Sequence, residues 1–193
     1  LFVKAVCEWL KNNGVSDITV ADSPGGPYTK GMLAGVYEAC GMKMVAEETG
    51  CELNDDFSTM SRFYEEGHVA KHLDLLGILD RVDAVITVGK LKTHGLSTMT
   101  GCVKNLYGVV PGTMKVEYHA RYQDVGMFSN MLVDLCECVK PCFSILDAVI
   151  GMEGEGPSGG RPRKIGALLG GMNPHAVDAV GAQLIGLRPE QGT

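Results

Sequence analysis

The sequence predicts a single α/β domain over residues 1–193, with a mainly parallel or mixed central sheet and helices on both faces. Three observations predict it. Helical and strand patterns alternate with glycine-rich turns between them, the order that builds sheets with crossover helices. Two stretches, VDAVITV and CFSILDAVIGM, carry almost no charge and are rich in branched apolar residues, as buried strands are. The chain has 193 residues, 45% hydrophobic and 21% charged, enough to bury a core of its own.

The elements follow in order. Phe2, Val6, Trp9 and Leu10 share one helical face, and this first helix ends at NNG with Gly14 as a left-handed cap. DITVAD is a short strand and SPGGP a turn. A second helix is expected from about Tyr28 to Ala39, with Tyr28, Met32 and Val36 on its apolar face. Residues 43–80 suggest a helix near Met44, a short strand near Cys51 and a polar, acid-rich segment. VDAVITV is a buried strand, Met127 to Val139 a helix, CFSILDAVIGM a strand, GEGPSGG a loop and KIGALLGG a further strand. Asn173 and Pro174 open the last helix as N-cap and first helical residue.

A net charge of −6 argues against nucleic acid as a partner, because phosphate backbones are met by basic surfaces. No apolar run approaches the roughly 20 residues that cross a bilayer, so no membrane partner is expected. The opening residues lack a signal-peptide pattern, and the seven scattered cysteines suggest reduced thiols. A cytoplasmic protein is therefore expected, as part of a longer one, since Leu1 already falls inside a helical pattern.

One segment inverts the charge. No acidic residue stands between Asp83 and Glu117, yet Lys90, Lys92, His94, Lys104 and Lys115 do. Lys90 to His94 follow a buried strand, and open α/β sheets bind ligands beyond the carboxyl ends of their strands. Lys90, Lys92 and Lys104 supply charge, and Thr93, Thr98, Thr100 and Asn105 supply neutral donors. Gly95 and Gly101 let a backbone approach closely. Together they suit a phosphate or a carboxylate, with His94 as acid, base or metal ligand. Solvated lysines and helix-capping threonines are the plainer alternative.

The stretch KLKTHGLSTMTGCVKNLYGVVPG resembles the signature of the domain of unknown function 362 family, a Lys-Thr-His, Thr-Gly, Lys-Asn, Gly and Pro-Gly series. ADSPGG, SILDAVIGMEGEGPSGG and NPHAVDAVGAQLIG are similar to three further segments of that family, in the same order. The resemblance implies an α/β fold and a shared residue set rather than a reaction. Many relatives carry ferredoxin-type cysteine clusters. This chain has no C-x₂-C-x₂-C-x₃-C run, so no iron–sulfur cluster is expected within it. An upstream strand and a downstream portion that relatives often have are expected to lie outside these residues.

Other groups are weighed singly. Asp147, Glu153 and Glu155 border the glycine-rich loop 151–160 and suit Mg²⁺ or another hard cation, or a general base; a solvated loop is the alternative. Asp22 ends a strand, as a ligand group or a turn cap. Asp178 lies in an apolar helical stretch and needs a lysine, a backbone donor or the site itself as partner. His68 and His72, at i and i+4, are expected on a solvated helix face, and His119 could close over the site. Cys136, Cys138 and Cys142 fit no common metal spacing and are expected as core thiols. No GxSxG elbow or GxxxxGK[ST] loop is present.

The leading expectation is a small-molecule anion site with His94, Asp147 and Glu153 as catalytic candidates. Lys90, Lys92, Thr93, Thr98, Thr100, Lys104, Asn105 and Asp22 would be the ligand-binding set, with a divalent cation such as Mg²⁺ as possible cofactor. The alternative is a non-catalytic accessory module of an iron–sulfur electron-transfer system, docking an acidic redox partner through the same lysines. A third option is a metal-dependent enzyme with His94 and His119 as ligands.

Overall fold

The computed structural model describes residues 1–188. In chain order it contains α1 (Phe2–Asn12), β1 (Thr19–Val20), α2 (Lys30–Ala39), α3 (Met42–Thr49), β2 (Glu52–Leu53), β3 (Thr59–Phe63), β4 (His72–Leu76) and β5 (Ile86–His94). β6 (Thr98–Thr100), α4 (Cys102–Asn105), α5 (Gly112–Arg121), α6 (Val125–Val139), β7 (Phe143–Glu153), β8 (Arg161–Gly171) and α7 (Pro174–Leu184) follow. This is the mixed α/β class that the alternating pattern predicts. By density of internal packing the chain divides into two compact units.

The first unit takes residues 1–62, 74–81 and 108–118. Its small core joins Cys7, Val45 and Cys51, with Val3, Ile18, Val20 and Ala46 packed on them. Cys7, not Trp9, is the buried residue of α1, and Trp9 is 63% exposed. The expected strand DITVAD shrinks to β1, which pairs in parallel with β2 as Thr19↔Glu52 and Val20↔Leu53. Gly14 has the left-handed backbone expected of it (φ 92°), as do Gly41 and Gly50 on either side of α3. α2 begins at Lys30 rather than Tyr28. The Tyr28 hydroxyl instead accepts from Asn54 Nδ2 at 2.9 Å and its ring packs on Phe57.

The second unit takes residues 63–73, 82–107 and the chain from 119 onward. It is built on a four-stranded sheet of order β6-β5-β7-β8, with β5 and β7 parallel and the other pairs antiparallel. Its core gathers Leu91, Met99, Cys102, Leu146, Ala148, Val177 and Ala182. Leu91 and Leu146 are fully buried, and each such leucine contributes about 2 kcal/mol. Gly181 lets α7 approach closely, because a side chain there would press on Leu146. α7 starts as expected, with Asn173 accepting the Ala176 N–H and Pro174 in the first turn. α6 starts two residues before the expected Met127, where Asp124 accepts the Gly126 and Met127 N–H groups.

Candidate functional site

The basic motif lies inside a strand. β5 does not stop at Val88 but runs to His94, so Lys90 pairs in register with Asp147 and Lys92 with Met152. The chain then reverses through Gly95–Ser97 into β6, which sets His94 opposite Thr98. In this turn His94 Nδ1 accepts two backbone N–H groups, from Leu96 at 3.1 Å and Ser97 at 3.2 Å. A neutral ring so held carries its proton on Nε2. Thr98 has φ 60°, a left-handed conformation that a β-branched residue rarely adopts.

The glycine-rich loop and the basic motif are neighbours. Thr93 Oγ1 donates to Gly154 O at 2.8 Å, Gly95 N to Gly156 O at 3.2 Å, and Lys92 Nζ to Pro157 O at 3.4 Å. A side chain on Gly156 would overlap the Thr93 carbonyl, so only glycine fits there. Two acids of this region are held in ion pairs. Asp147 is held by Lys90 Nζ at 2.6 Å and by the Val149 N–H, while Glu153 pairs with Arg163 at 3.1 Å. Among the described residues the ligand atoms of Asp147, Glu153 and Glu155, the expected Mg²⁺ trio, do not all lie within 4.8 Å of one another.

Lys104 is positioned from the far end of the sequence. The Asp178 carboxylate accepts the N–H groups of Cys102 and Val103, capping α4 at its first turn. Burial pushes Asp178 above the ordinary carboxylate range, against the pull of these hydrogen bonds. Asn105 donates to Thr87 Oγ1 at 2.9 Å and so ties α4 to β5. Lys104 then lies 5.0 Å from the Phe128 ring centroid and 5.6 Å from that of Tyr107. His119 stacks on Phe128 at 4.6 Å and meets Tyr107 edge-on. Burial first, then Lys104 and His119, lowers His94 to about 4; burial and Lys104 lower His119 too. One ammonium thus acts on two imidazoles that stay neutral near pH 7.

The family model described as Domain of unknown function (DUF362) matches residues 1–183. The chain belongs to the DUF362 family. It is also similar to Thylakoid-associated protein sll1697 of Synechocystis sp., with 38% identity over 129 residues. That match covers 66% of this chain and 40% of the relative, so the aligned region is about two-fifths of that protein's length. No described helix is long and apolar enough to cross a membrane.

In this DUF362 chain the other sequence candidates fall as follows. Asp22 belongs to the first unit, where burial raises its carboxyl above the usual range while the Lys115 ammonium pulls it down. Lys115 Nζ also donates to the Ser23 carbonyl. Thr100 Oγ1 is buried on β6 opposite Lys92. His68 and His72 share no helix: Asp134 accepts the His68 N–H, and His72 lies in β4 against Phe63. Cys136 is a core thiol as expected, but Cys142 is exposed. Tyr107 and Phe128 were not legible as site residues. Tyr107, three residues after Lys104, offered a faint signal, and Phe128 offered none.

Proposed function

We propose that the second unit binds a small anion, a phosphate or a carboxylate, between the Lys104 ammonium and the Nε2–H of His94. The observation that carries this is the pair of backbone N–H groups on His94 Nδ1, which turns the ring into a fixed neutral donor beside a fixed cation. Donors placed before the charge arrives cost no reorganisation, and they favour anionic transition states as well as anionic ligands. His94 on this view donates a hydrogen bond rather than shuttling a proton. Asp147 and Glu153 act at one remove, by fixing Lys90 and Arg163. Lys92, Thr93, Thr98, Thr100 and Asn105 shape the wall.

The redox-docking alternative has less support, since Lys90 is neutralised by Asp147 and offers little charge to an acidic partner. We also propose a reducing, cytoplasmic setting, which the seven free cysteines support.

Thermal unfolding against phosphate, pyrophosphate, nucleotides and small carboxylates tests the site. At 100 times the dissociation constant a ligand stabilises by about 2.7 kcal/mol, a rise of roughly 5–10 °C for a chain of this size. The expected result is such a rise that Lys104→Ala removes. No rise with any anion overturns the proposal.

A further inference from the structure

The second unit carries another group of ligating side chains, which the anion site does not use. Among the described residues, one set of three potential metal ligands has its ligand atoms all within 4.8 Å of one another: Cys136, Glu137 and His175. Cys136 and Glu137 are consecutive in the last two turns of α6, and His175 lies in the first turn of α7. Glu137 Oε1 and His175 Nε2 are 2.8 Å apart. The Cys136 thiol is buried, and the other two side chains are half-exposed, so the group has a closed inner side and an open outer one.

We propose that Cys136, Glu137 and His175 form a site for a zinc-class divalent ion. Sulfur, imidazole nitrogen and carboxylate oxygen together favour a borderline ion over Mg²⁺ or Ca²⁺, which take oxygen donors. Zinc bonds of about 2.0–2.3 Å place neighbouring ligand atoms roughly 3.3–3.7 Å apart, so small side-chain rotations close the group onto an ion. Three protein ligands leave a fourth position for water on the half-exposed side. Binding replaces the thiol proton: R–SH and M²⁺ give R–S–M⁺ and H⁺, the proton passing to solvent. The ion would then pin α6 to α7, three residues before the Asp178 cap. The plain alternative is an ordinary Glu–His ion pair beside a core thiol.

Cobalt(II) separates the two. Protein freed of metal by a chelator is titrated with Co²⁺ and followed by absorption. The expected result is a thiolate-to-cobalt charge-transfer band that saturates at one equivalent, disappears on adding Zn²⁺, and is absent in Cys136→Ser. Cys136 is buried and that variant could unfold, so His175→Gln serves as a second test at a half-exposed position. It should weaken binding by more than the roughly 10–100-fold that loss of a supporting partner costs. Absence of saturable Co²⁺ binding, or a band unchanged in His175→Gln, overturns the proposal. Because the readout is the metal's own spectrum, it stands or falls separately from the anion site.

Discussion

The carboxylate of Asp178 accepts the backbone N–H of Cys102 at 2.6 Å across a sequence separation of 76 residues, and that of Val103 at 2.9 Å. α4 is a single turn and has no local cap of its own. Its position, and with it that of Lys104, therefore depends on α7. Asp178→Ala strips two buried N–H groups of a charged acceptor and should cost about 2–4 kcal/mol. Denaturant unfolding checks this, and a loss below about 0.5 kcal/mol would show that water or another acceptor takes over.

Gly101→Ala should act through the same contact from the other side. A Cβ at Gly101 would overlap the Asp178 carboxylate, and backbone and buried carboxylate have little room to yield. The expected loss is about 2–4 kcal/mol, in the range that buried overpacking reaches. In the Gly101→Ala, Asp178→Ala double variant the two effects should not add, because the second change removes the obstacle. A fully additive pair would sink this account.

Acid should weaken the fold through His94. Its ring is lowered from 6.5 to about 4 by burial, then by Lys104 and His119. A base lowered on folding contributes stability that is present above its unfolded value and lost as pH falls through the folded one. The expected window is therefore about pH 6.5 down to about pH 4, and His94→Asn should flatten the slope there. Asp178 runs the other way. Its carboxyl is raised, so its contribution is full at low pH and declines as pH rises through the folded value. Proton NMR of the His94 ring, titrated directly, should show it neutral throughout the upper part of that window.

Thr98→Gly should stabilise the protein. A β-branched residue at φ 60° stores roughly 1–3 kcal/mol of strain, and glycine gives back about 0.5–1 kcal/mol in chain entropy. The net expectation is a gain of about 1 kcal/mol and a rise in Tm of roughly 2–4 °C. If anion binding weakens in the same variant, the strain serves the site by holding the turn that carries His94.

What the sequence made legible follows the reach of its signals. α7 was readable because its cap, Asn173 and Pro174, is local. β7 was readable because a buried strand needs a continuous apolar run. The end of β5 was not, since Lys90, Lys92 and His94 read as a polar loop until Asp147 and the loop 151–160 are seen beside them. The pairs β3 and β4 were hidden because charged and polar residues interrupt both. For the site, Lys104 and His94 were legible from the missing acids around them. Phe128 was not, because an aromatic in α6 looks like any core residue until Lys104 and His119 lie against it.

The turn at Leu96 and Ser97 has one more effect. A neutral histidine ordinarily serves hydrogen-bond donors and metal ions alike, because one of its ring nitrogens keeps an available electron pair. Here both backbone N–H groups consume that pair, and the remaining nitrogen presents only a proton. The ring has become selective by sign. Transition-metal ions that poison exposed histidines in many proteins should pass this one by, even as a thiol-bearing group elsewhere on the same unit takes them up.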